Sequence, residues 1–209
     1  MSRDLELECK CGLVKGTARN VSPSTVNRVV CLCADCQTFL HHLDRADLLD
    51  ANGGSDIVQL APDSVAFHAG TDNIAAVRLG PKGPYRWYAT CCKTPLGNTV
   101  KPSLPFVGIV HEAFRDARDP ARRDEVFGPP RAKIHGRDAI GEAPPGSKRT
   151  NAPFLLRTIG KILGWKIRGR AWPHPFFDRS TGEPRFPVRV LTREERRAAR
   201  QAAGHLATP

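Results

Sequence analysis

The chain has 209 residues, which suits one domain with an appendage and is long enough to bury a core without disulfide bonds. Hydrophobic residues make up 40% of it, and its longest apolar run is far shorter than the roughly 18 residues that a membrane-spanning helix needs. Residues 1–110 hold 11 Lys and Arg against 10 Asp and Glu, whereas residues 111–209 hold 21 against 11. This composition argues against a membrane span. It predicts a basic C-terminal half that is either simply solvated or faces an anionic partner.

The N-terminus begins MSRDLELECKCG and lacks the basic flank and hydrophobic stretch of a signal peptide. We therefore expect a cytoplasmic protein whose cysteines stay reduced. Its seven cysteines fall in three close clusters, all within the first 92 residues. Neighbouring cysteines rarely reach the geometry of a disulfide, so such clusters indicate metal binding.

Short strands separated by turns are predicted between residues 5 and 110. LELECKCG and GLVKGTAR indicate a hairpin with Cys9 and Cys11 at its tip, and NRVVCLC is a β-branched, apolar strand. Residues 34–49 predict a helix or helical turns, with Cys36 in the first turn. Further strands are predicted in DIVQLAP, SVAFHAG, IAAVRLG, YRWYAT and LPFVGIVH.

The pattern of short strands ends near residue 111, and we divide the chain after residue 112. Residues 1–112 are predicted to form the β domain, and residues 113–150 a Pro-, Gly- and Arg-rich linker with a short helix and loose order. Residues 151–209 predict a basic helical extension that packs on the core. Its first helix has an apolar stripe that suits docking on the β domain or, alternatively, a membrane surface or partner. The stripe consists of Leu155, Leu156, Ile159, Ile162 and Leu163.

Two of the cysteine clusters are predicted to share one metal. Cys9 and Cys11, two apart on a strand, project to the same side and supply half of a tetrahedral zinc site. Cys91 and Cys92 are the natural second half. Because adjacent strand residues point to opposite faces, both can be ligands only if the chain turns sharply there, for example at Thr94-Pro95. Whether Cys91, Cys92 or both bind stays open at this point.

The middle cluster, Cys31, Cys33 and Cys36, forms a C-x-C-x-x-C at a strand-to-helix corner. The helix N-terminus favours a thiolate at Cys36. Three thiolates can hold a second zinc whose fourth ligand is water, a substrate thiol, His41 or His42.

The motifs CKCGLVKG, CLCADCQ and CCKTPLGN resemble the three metal motifs of the glutathione-dependent formaldehyde-activating enzyme and centromere-protein-V family, over roughly residues 7–110. The resemblance implies a mainly β fold, a β-tent of antiparallel sheets with two zinc sites. It also implies that the thiol of glutathione becomes a ligand of the second zinc. By this resemblance the structural ligands are Cys9, Cys11 and Cys92, and the catalytic ligands are Cys31, Cys33 and Cys36.

The third motif departs from the family pattern. Ala89 stands where the family has its first cysteine of this motif, so Cys91 is expected to substitute from a shifted position. Lys93 replaces a glycine.

Two functions follow as hypotheses. The first is a carbon–sulfur lyase-like enzyme acting on a thiol–aldehyde adduct of the glutathione type. The second is a non-catalytic, zinc-stabilised binding module whose basic surface meets nucleic acid or another acidic partner. A redox sensor using the middle cysteines is a further alternative. Candidate cations for the carboxylates of a thiol substrate are Arg28, Arg78, Lys82, Arg86 and Lys93.

Overall fold

The computed structural model describes residues 2–149 and 151–205, and within them the chain forms eleven strands and four α-helices. The expected mainly β fold is confirmed. The strands are β1 (Arg3–Glu8), β2 (Lys15–Val21), β3 (Asn27–Cys31), β4 (Ser55–Leu60), β5 (Val65–Ala69), β6 (Ile74–Arg78), β7 (Tyr85–Ala89), β8 (Thr94–Thr99), β9 (Val107–Val110), β10 (Lys133–Ile134) and β11 (Val188–Val190). The helices are α1 (Ala34–His42), α2 (Pro120–Phe127), α3 (Ala152–Ile167) and α4 (Arg193–Ala202).

The strands form two sheets. The small sheet has the order β1-β2-β5 and is antiparallel throughout. The large sheet has the order β10-β3-β4-β9-β8-β7-β6-β11. Its six inner strands pair antiparallel, as expected for a chain whose strands are joined by short turns.

One apolar core joins the two sheets. Alternation in β1 buries Leu5 and Leu7 while the acidic residues between and after them stay nearer the solvent. Leu7 belongs to the same buried cluster as Trp87 of β7 and Ile109 of β9 in the large sheet. The two turns that hold Cys9, Cys11, Cys91 and Cys92 therefore project from a packed scaffold.

The C-terminal half supplies part of this scaffold. Both edge strands of the large sheet come from it, since β10 pairs parallel with β3 and β11 pairs parallel with β6. Phe176 is fully buried and stacks on Trp87 with ring centroids 4.5 Å apart. Phe127, within the segment expected to be a loose linker, is buried against Phe114 at 4.8 Å. That part of the linker is therefore packed on the β core, because two aromatic side chains fix it there.

Helix α3 docks on the core through a face other than the predicted one. Phe154 and Trp165 are the buried residues of the helix. Of the predicted apolar stripe, only Ile162 is half-buried. The expectation that the stripe packs on the core is wrong, because the two aromatic residues, eleven positions apart and hence on one side of the helix, bury more apolar area. The other four stripe residues, Leu155, Leu156, Ile159 and Leu163, are exposed.

Two further elements differ from the sequence prediction. Helix α1 ends at His42, and a separate 3₁₀ turn at Ala46–Leu48 follows it. Strand β8 was not predicted, since TPLGNT contains Pro and Gly. Pro95 is tolerated because it lies at a bulge in the β7–β8 pairing and outside the register of β8 with β9. In the described residues, no helix has both the length and the apolar character that crossing a membrane requires.

Candidate metal centres

Four cysteines from two distant turns come together at one end of the β core. The Sγ atoms of this hairpin site lie within 4.8 Å of one another. The separations are 3.5 Å for Cys9–Cys11, 3.8 Å for Cys9–Cys91, 3.4 Å for Cys11–Cys91 and 3.8 Å for Cys91–Cys92. Both members of the late pair are therefore close enough to serve the same metal.

The backbone of both turns explains this convergence. Strand β1 ends at Glu8, so Cys9 and Cys11 lie in the connection to β2 rather than on a strand as expected. Gly12 closes that connection with φ +80°, a conformation that glycine adopts without strain. Opposite it, Cys91 and Cys92 lie within the β7–β8 turn itself. The sharp turn that both cysteines require therefore includes the cysteines themselves. It lies just before Thr94-Pro95, where the turn was expected.

Lys93 completes the β7–β8 turn. Its φ of +55° is in the left-handed region, where glycine is the usual residue. Its ammonium group pairs with Asp44, just beyond α1. Lys93 therefore occupies a position whose backbone conformation favours glycine. Its side chain forms an exposed ion pair with Asp44.

The sulfurs of the hairpin site ionise unequally, because burial raises the pKa of Cys9 and of Cys91 whereas hydrogen bonds lower that of Cys92. The backbone N–H of Val14 donates to Cys9 Sγ at 3.2 Å. Thr94 Oγ1 lies 3.1 Å from Cys92 Sγ and accepts from the N–H of Lys10 at 2.9 Å, which leaves its hydroxyl hydrogen for the sulfur. Burial raises the pKa of Cys92, but hydrogen bonds from Thr94 and from the backbone outweigh it and lower the pKa to about 6.

The second group, the corner site, is built from one short segment. Cys31 ends β3, Cys33 caps the N-terminus of α1 and Cys36 lies in its first turn, as predicted. The Sγ atoms of Cys31 and Cys33 are 3.3 Å apart, and all three sulfurs lie within 4.8 Å of one another. Cys33 Sγ accepts from the backbone N–H of Cys36 at 3.4 Å, so the helix cap orients one sulfur of the group.

A buried arginine stands against the corner site. Arg86 of β7 is 3% exposed, and its Nη1 lies 3.8 Å from Cys36 Sγ. Hydrogen bonds from Cys31 and Cys33, together with the Arg86 guanidinium, outweigh burial and lower the pKa of Cys36 well below its ordinary value. Arg86 and the helix N-terminus thus both favour the thiolate form of Cys36. The neighbouring sulfur of Cys33, in contrast, raises the pKa of Cys31.

Neither histidine proposed as a fourth ligand belongs to the group. In residues 2–149 and 151–205, the set of ligand atoms around the corner contains the three sulfurs alone. His41 and His42 are in the last turn of α1, whereas Cys36 is in the first. His42 Nε2 instead lies 3.5 Å from Arg189 Nη2.

Of the five candidate cations, Arg86 alone contacts a cysteine in the described residues. Arg28 is buried in an ion pair with Asp56 at 2.7 Å. Arg78 lies over the ring of Tyr85, and Lys82 is exposed.

A cavity of about 570 Å³ shares two wall residues with the apolar cluster of the corner site. Ile134 and Phe154 line it and also pack in one apolar cluster with Cys31, Cys33 and Cys36. Three exposed basic side chains complete its wall, namely Arg137, Lys148 and Arg149. The cysteine motifs contain no signal for these residues, which lie about a hundred positions later in the chain. The general excess of Lys and Arg in residues 111–209 is the only sequence signal for them.

The same late segment braces α1. Asp138 Oδ2 accepts from the backbone N–H of Ala34 at 3.0 Å, at the first residue of the helix. Buried Gln37 donates from Nε2 to the carbonyls of Leu32 and Asp138 at 2.7 and 2.8 Å. The cysteine corner is therefore held from two sides by buried hydrogen bonds.

The sulfur geometry fits a metal at each group. Zn–S bonds of about 2.3 Å in a tetrahedron place sulfurs roughly 3.8 Å apart, close to the separations above. The hairpin site offers four sulfurs and the corner site three. All-sulfur donor sets suit zinc and other thiophilic metals. Both groups can thus hold a metal ion.

The fold and these two groups define a mainly β protein with two candidate metal centres. The chain belongs to a family described as "Family of unknown function (DUF6151)", whose model matches residues 1–186. A crystal structure of a Rhodobacter sphaeroides protein is similar, with a TM-score of 0.44 and 12% identity, over 62% of this chain and 100% of that chain. No curated protein matches the sequence.

Proposed function

We propose that the protein binds zinc at both groups and that the corner site is the centre of a carbon–sulfur lyase-like reaction on a thiol–aldehyde adduct. The observation that carries this proposal is a group of three sulfurs with a buried arginine against one of them, packed on two residues that also line a cavity with a basic wall. The hairpin site, with four sulfurs, would have the structural role. A cytoplasmic location, as expected from the sequence, would keep all seven thiols reduced.

The residues of the corner supply most of what this chemistry needs. Zinc, when bound by Cys31, Cys33 and Cys36, would supply a Lewis-acidic centre that stabilises a substrate thiol as its thiolate. Arg86 holds positive charge against the cysteine sulfurs in a buried position, where its field is little screened. Arg137 and Arg149 can pair with the carboxylates of a glutathione-type thiol, because guanidinium binds carboxylate bidentately.

The reaction so positioned is an addition or its reverse. Sulfur attacks the aldehyde carbon, a C–S bond forms, and the thiol proton ends on the new hydroxyl oxygen. In the lyase direction the C–S bond breaks and the proton returns to sulfur. No oxidant or reductant is required. The resemblance of the three cysteine motifs to the glutathione-dependent formaldehyde-activating family supports the same reaction.

A cobalt-substitution experiment tests this proposal. Cobalt in a thiolate site has a visible spectrum that changes when a further thiol binds, so glutathione should alter the spectrum at millimolar concentration. Cys33→Ser should abolish that change while the signal of the hairpin site remains. A wild-type spectrum that does not respond to glutathione or to its formaldehyde adduct would contradict the enzyme proposal.

The binding-module hypothesis is the second candidate. It is supported by the exposed basic side chains of the C-terminal half, for which an acidic partner such as nucleic acid is the proposed target. Binding to a DNA or RNA duplex that weakens steeply with salt, together with an unresponsive cobalt spectrum, would favour it.

A further inference from the structure

Helix α3 presents an aliphatic face that nothing in the described residues covers. Its 16 residues form a rod of about 24 Å. The apolar side chains on this face recur with helical spacing and are 44–85% exposed. These residues, named here the α3 face, are Leu155, Leu156, Ile159, Leu163 and Ile167.

The opposite side of the helix is firmly attached to the protein. Phe154 and Trp165 are buried. Lys161 Nζ donates to the carbonyls of Ser24 and Thr25 at 2.9 and 2.8 Å, and Arg157 Nη2 lies 3.4 Å from the carbonyl oxygen of Val26. The α3 face is therefore held outward by its own docking contacts.

The charge around the face has one sign. Residues 143–177 contain seven Lys and Arg and no Asp or Glu. Lys148 and Arg149 precede the helix, Lys166 is in its last turn and Arg168 is its C-cap. All four are exposed, and among the described residues none of them forms an ion pair. Positive charge thus lies at both ends of the apolar face.

The charge and the residue types of the α3 face indicate what kind of partner binds to it. A second copy of the helix would bring the four exposed basic residues at the ends of this face against the same four, which opposes self-association. Protein interfaces concentrate their binding energy in Trp, Tyr and Arg, whereas this face contains only Leu and Ile. An aliphatic helix face between basic residues matches the acyl boundary and the anionic headgroups of a lipid surface.

We propose that the α3 face binds the surface of a membrane that contains anionic lipids, with the helix lying in the interfacial plane. Leu156 and Ile167, 70% and 85% exposed, enter the acyl boundary. Lys166 and Arg168 meet the headgroups. The proposed binding surface shares Leu155, Lys148 and Arg149 with the wall of the cavity near the corner site, whereas Leu156, Ile167, Lys166 and Arg168 lie outside that wall.

Vesicle co-sedimentation of the full chain tests the proposal. The probes are phosphatidylcholine vesicles with about 30% phosphatidylserine and vesicles of phosphatidylcholine alone. We expect binding to the anionic vesicles, weaker by about tenfold or more on the neutral ones and in about 0.5 M NaCl. Leu156→Asn with Ile167→Asn, and separately Lys166→Gln with Arg168→Gln, should each weaken it by about tenfold.

The matched control is Val100→Asn, which changes an exposed apolar residue outside α3 and should bind as the wild type does. Far-ultraviolet circular dichroism checks that each variant keeps its helices. The proposal is overturned if the wild type ignores anionic vesicles or if the Leu156 and Ile167 variant binds them equally well. Analytical ultracentrifugation tests self-association. If the wild type is a dimer and the Leu156 and Ile167 double variant is a monomer, the face binds a second copy of the chain. Binding to polyglutamate without binding to vesicles would assign it to an acidic protein.

Discussion

The guanidinium of Arg86 lies 3.8 Å from the sulfur of Cys36, in a position from which solvent is almost excluded. It is also 3.9 Å from Asp35 and stands over the ring of Phe39 at 5.6 Å. One side chain from the large sheet therefore places a buried positive charge at the first turn of α1, where Arg200 of α4 also pairs with Asp35 at 3.1 Å. A cation at this point favours thiolate sulfur and so favours metal binding at the corner site.

We expect Arg86→Gln to weaken metal binding at the corner site by about 10- to 100-fold, because the Cys36 thiolate loses its neighbouring cation. Competition with a chromogenic chelator measures this affinity. Arg86→Lys, which keeps the positive charge, should lose less. Equal affinities in the wild type and the glutamine variant would show that Arg86 is only a structural residue.

Cys9→Ser and Cys33→Ser should differ in their effect on stability. The hairpin site joins segments about 80 positions apart, so its metal closes a long loop, whereas the corner ligands lie within six residues. Cys9→Ser should remove one of two zinc ions per chain and lower the melting temperature by about 10 °C, corresponding to about 3 kcal/mol. Cys33→Ser should remove the other zinc with a much smaller shift. Metal analysis with calorimetry tests this, and fewer than two zinc ions in the wild type would refute the two-site assignment.

Stability should fall as the pH drops from about 6.5 to about 4, partly because of His174. Burial lowers the pKa of this histidine to about 4, and its Nδ1 accepts from the N–H of Phe176 at 3.1 Å. The unfolded chain, with a pKa near 6.5, binds the proton first, so stability is fully present above pH 6.5 and is lost below it. The contribution is at most about 3 kcal/mol.

His174→Asn keeps an acceptor for Phe176 but cannot titrate, so its unfolding free energy should depend less on pH across this window. Urea denaturation at several pH values measures the slope. The exposed residue His68 provides the control, since His68→Asn should leave the slope unchanged. Identical slopes for the wild type and His174→Asn would contradict the assignment.

Phe176→Ala should destabilise the whole protein, because Phe176 stacks on Trp87 within the core that joins both sheets. We expect a loss of about 3–5 kcal/mol in urea denaturation. Ile167→Ala, at an exposed position in the same half of the chain, should change stability by less than about 0.5 kcal/mol. If the two variants proved equally stable, the C-terminal half would not be part of the cooperative unit.

Local patterns predicted much of the β core and of the cysteine geometry. Alternation in β1 and the apolar run of β3 identify these strands, and the position of Cys36 in the first turn of α1 follows from the predicted start of the helix at residue 34. Binding of one metal by both Cys91 and Cys92 requires a sharp turn, and both residues lie in the turn between β7 and β8. The role of each cysteine as a ligand remains a prediction.

Long-range packing could not be read from the same patterns. The apolar stripe of α3 is a strong periodic signal, yet the helix docks through Phe154 and Trp165. Periodicity identifies an apolar face but not what covers it. The same limit applies to β10 and to the basic cavity wall, because their neighbours at the corner site are about a hundred residues away in sequence.

Strand β7 connects the two cysteine groups through the chain. It carries Arg86 against Cys36 and, five residues later, delivers Cys91 to the hairpin site. A metal at the hairpin site would anchor the end of this strand and so fix the register of the arginine. We therefore expect the chain to load its metals in order, with the four-sulfur site filled first and the three-sulfur site gaining its full affinity only afterwards.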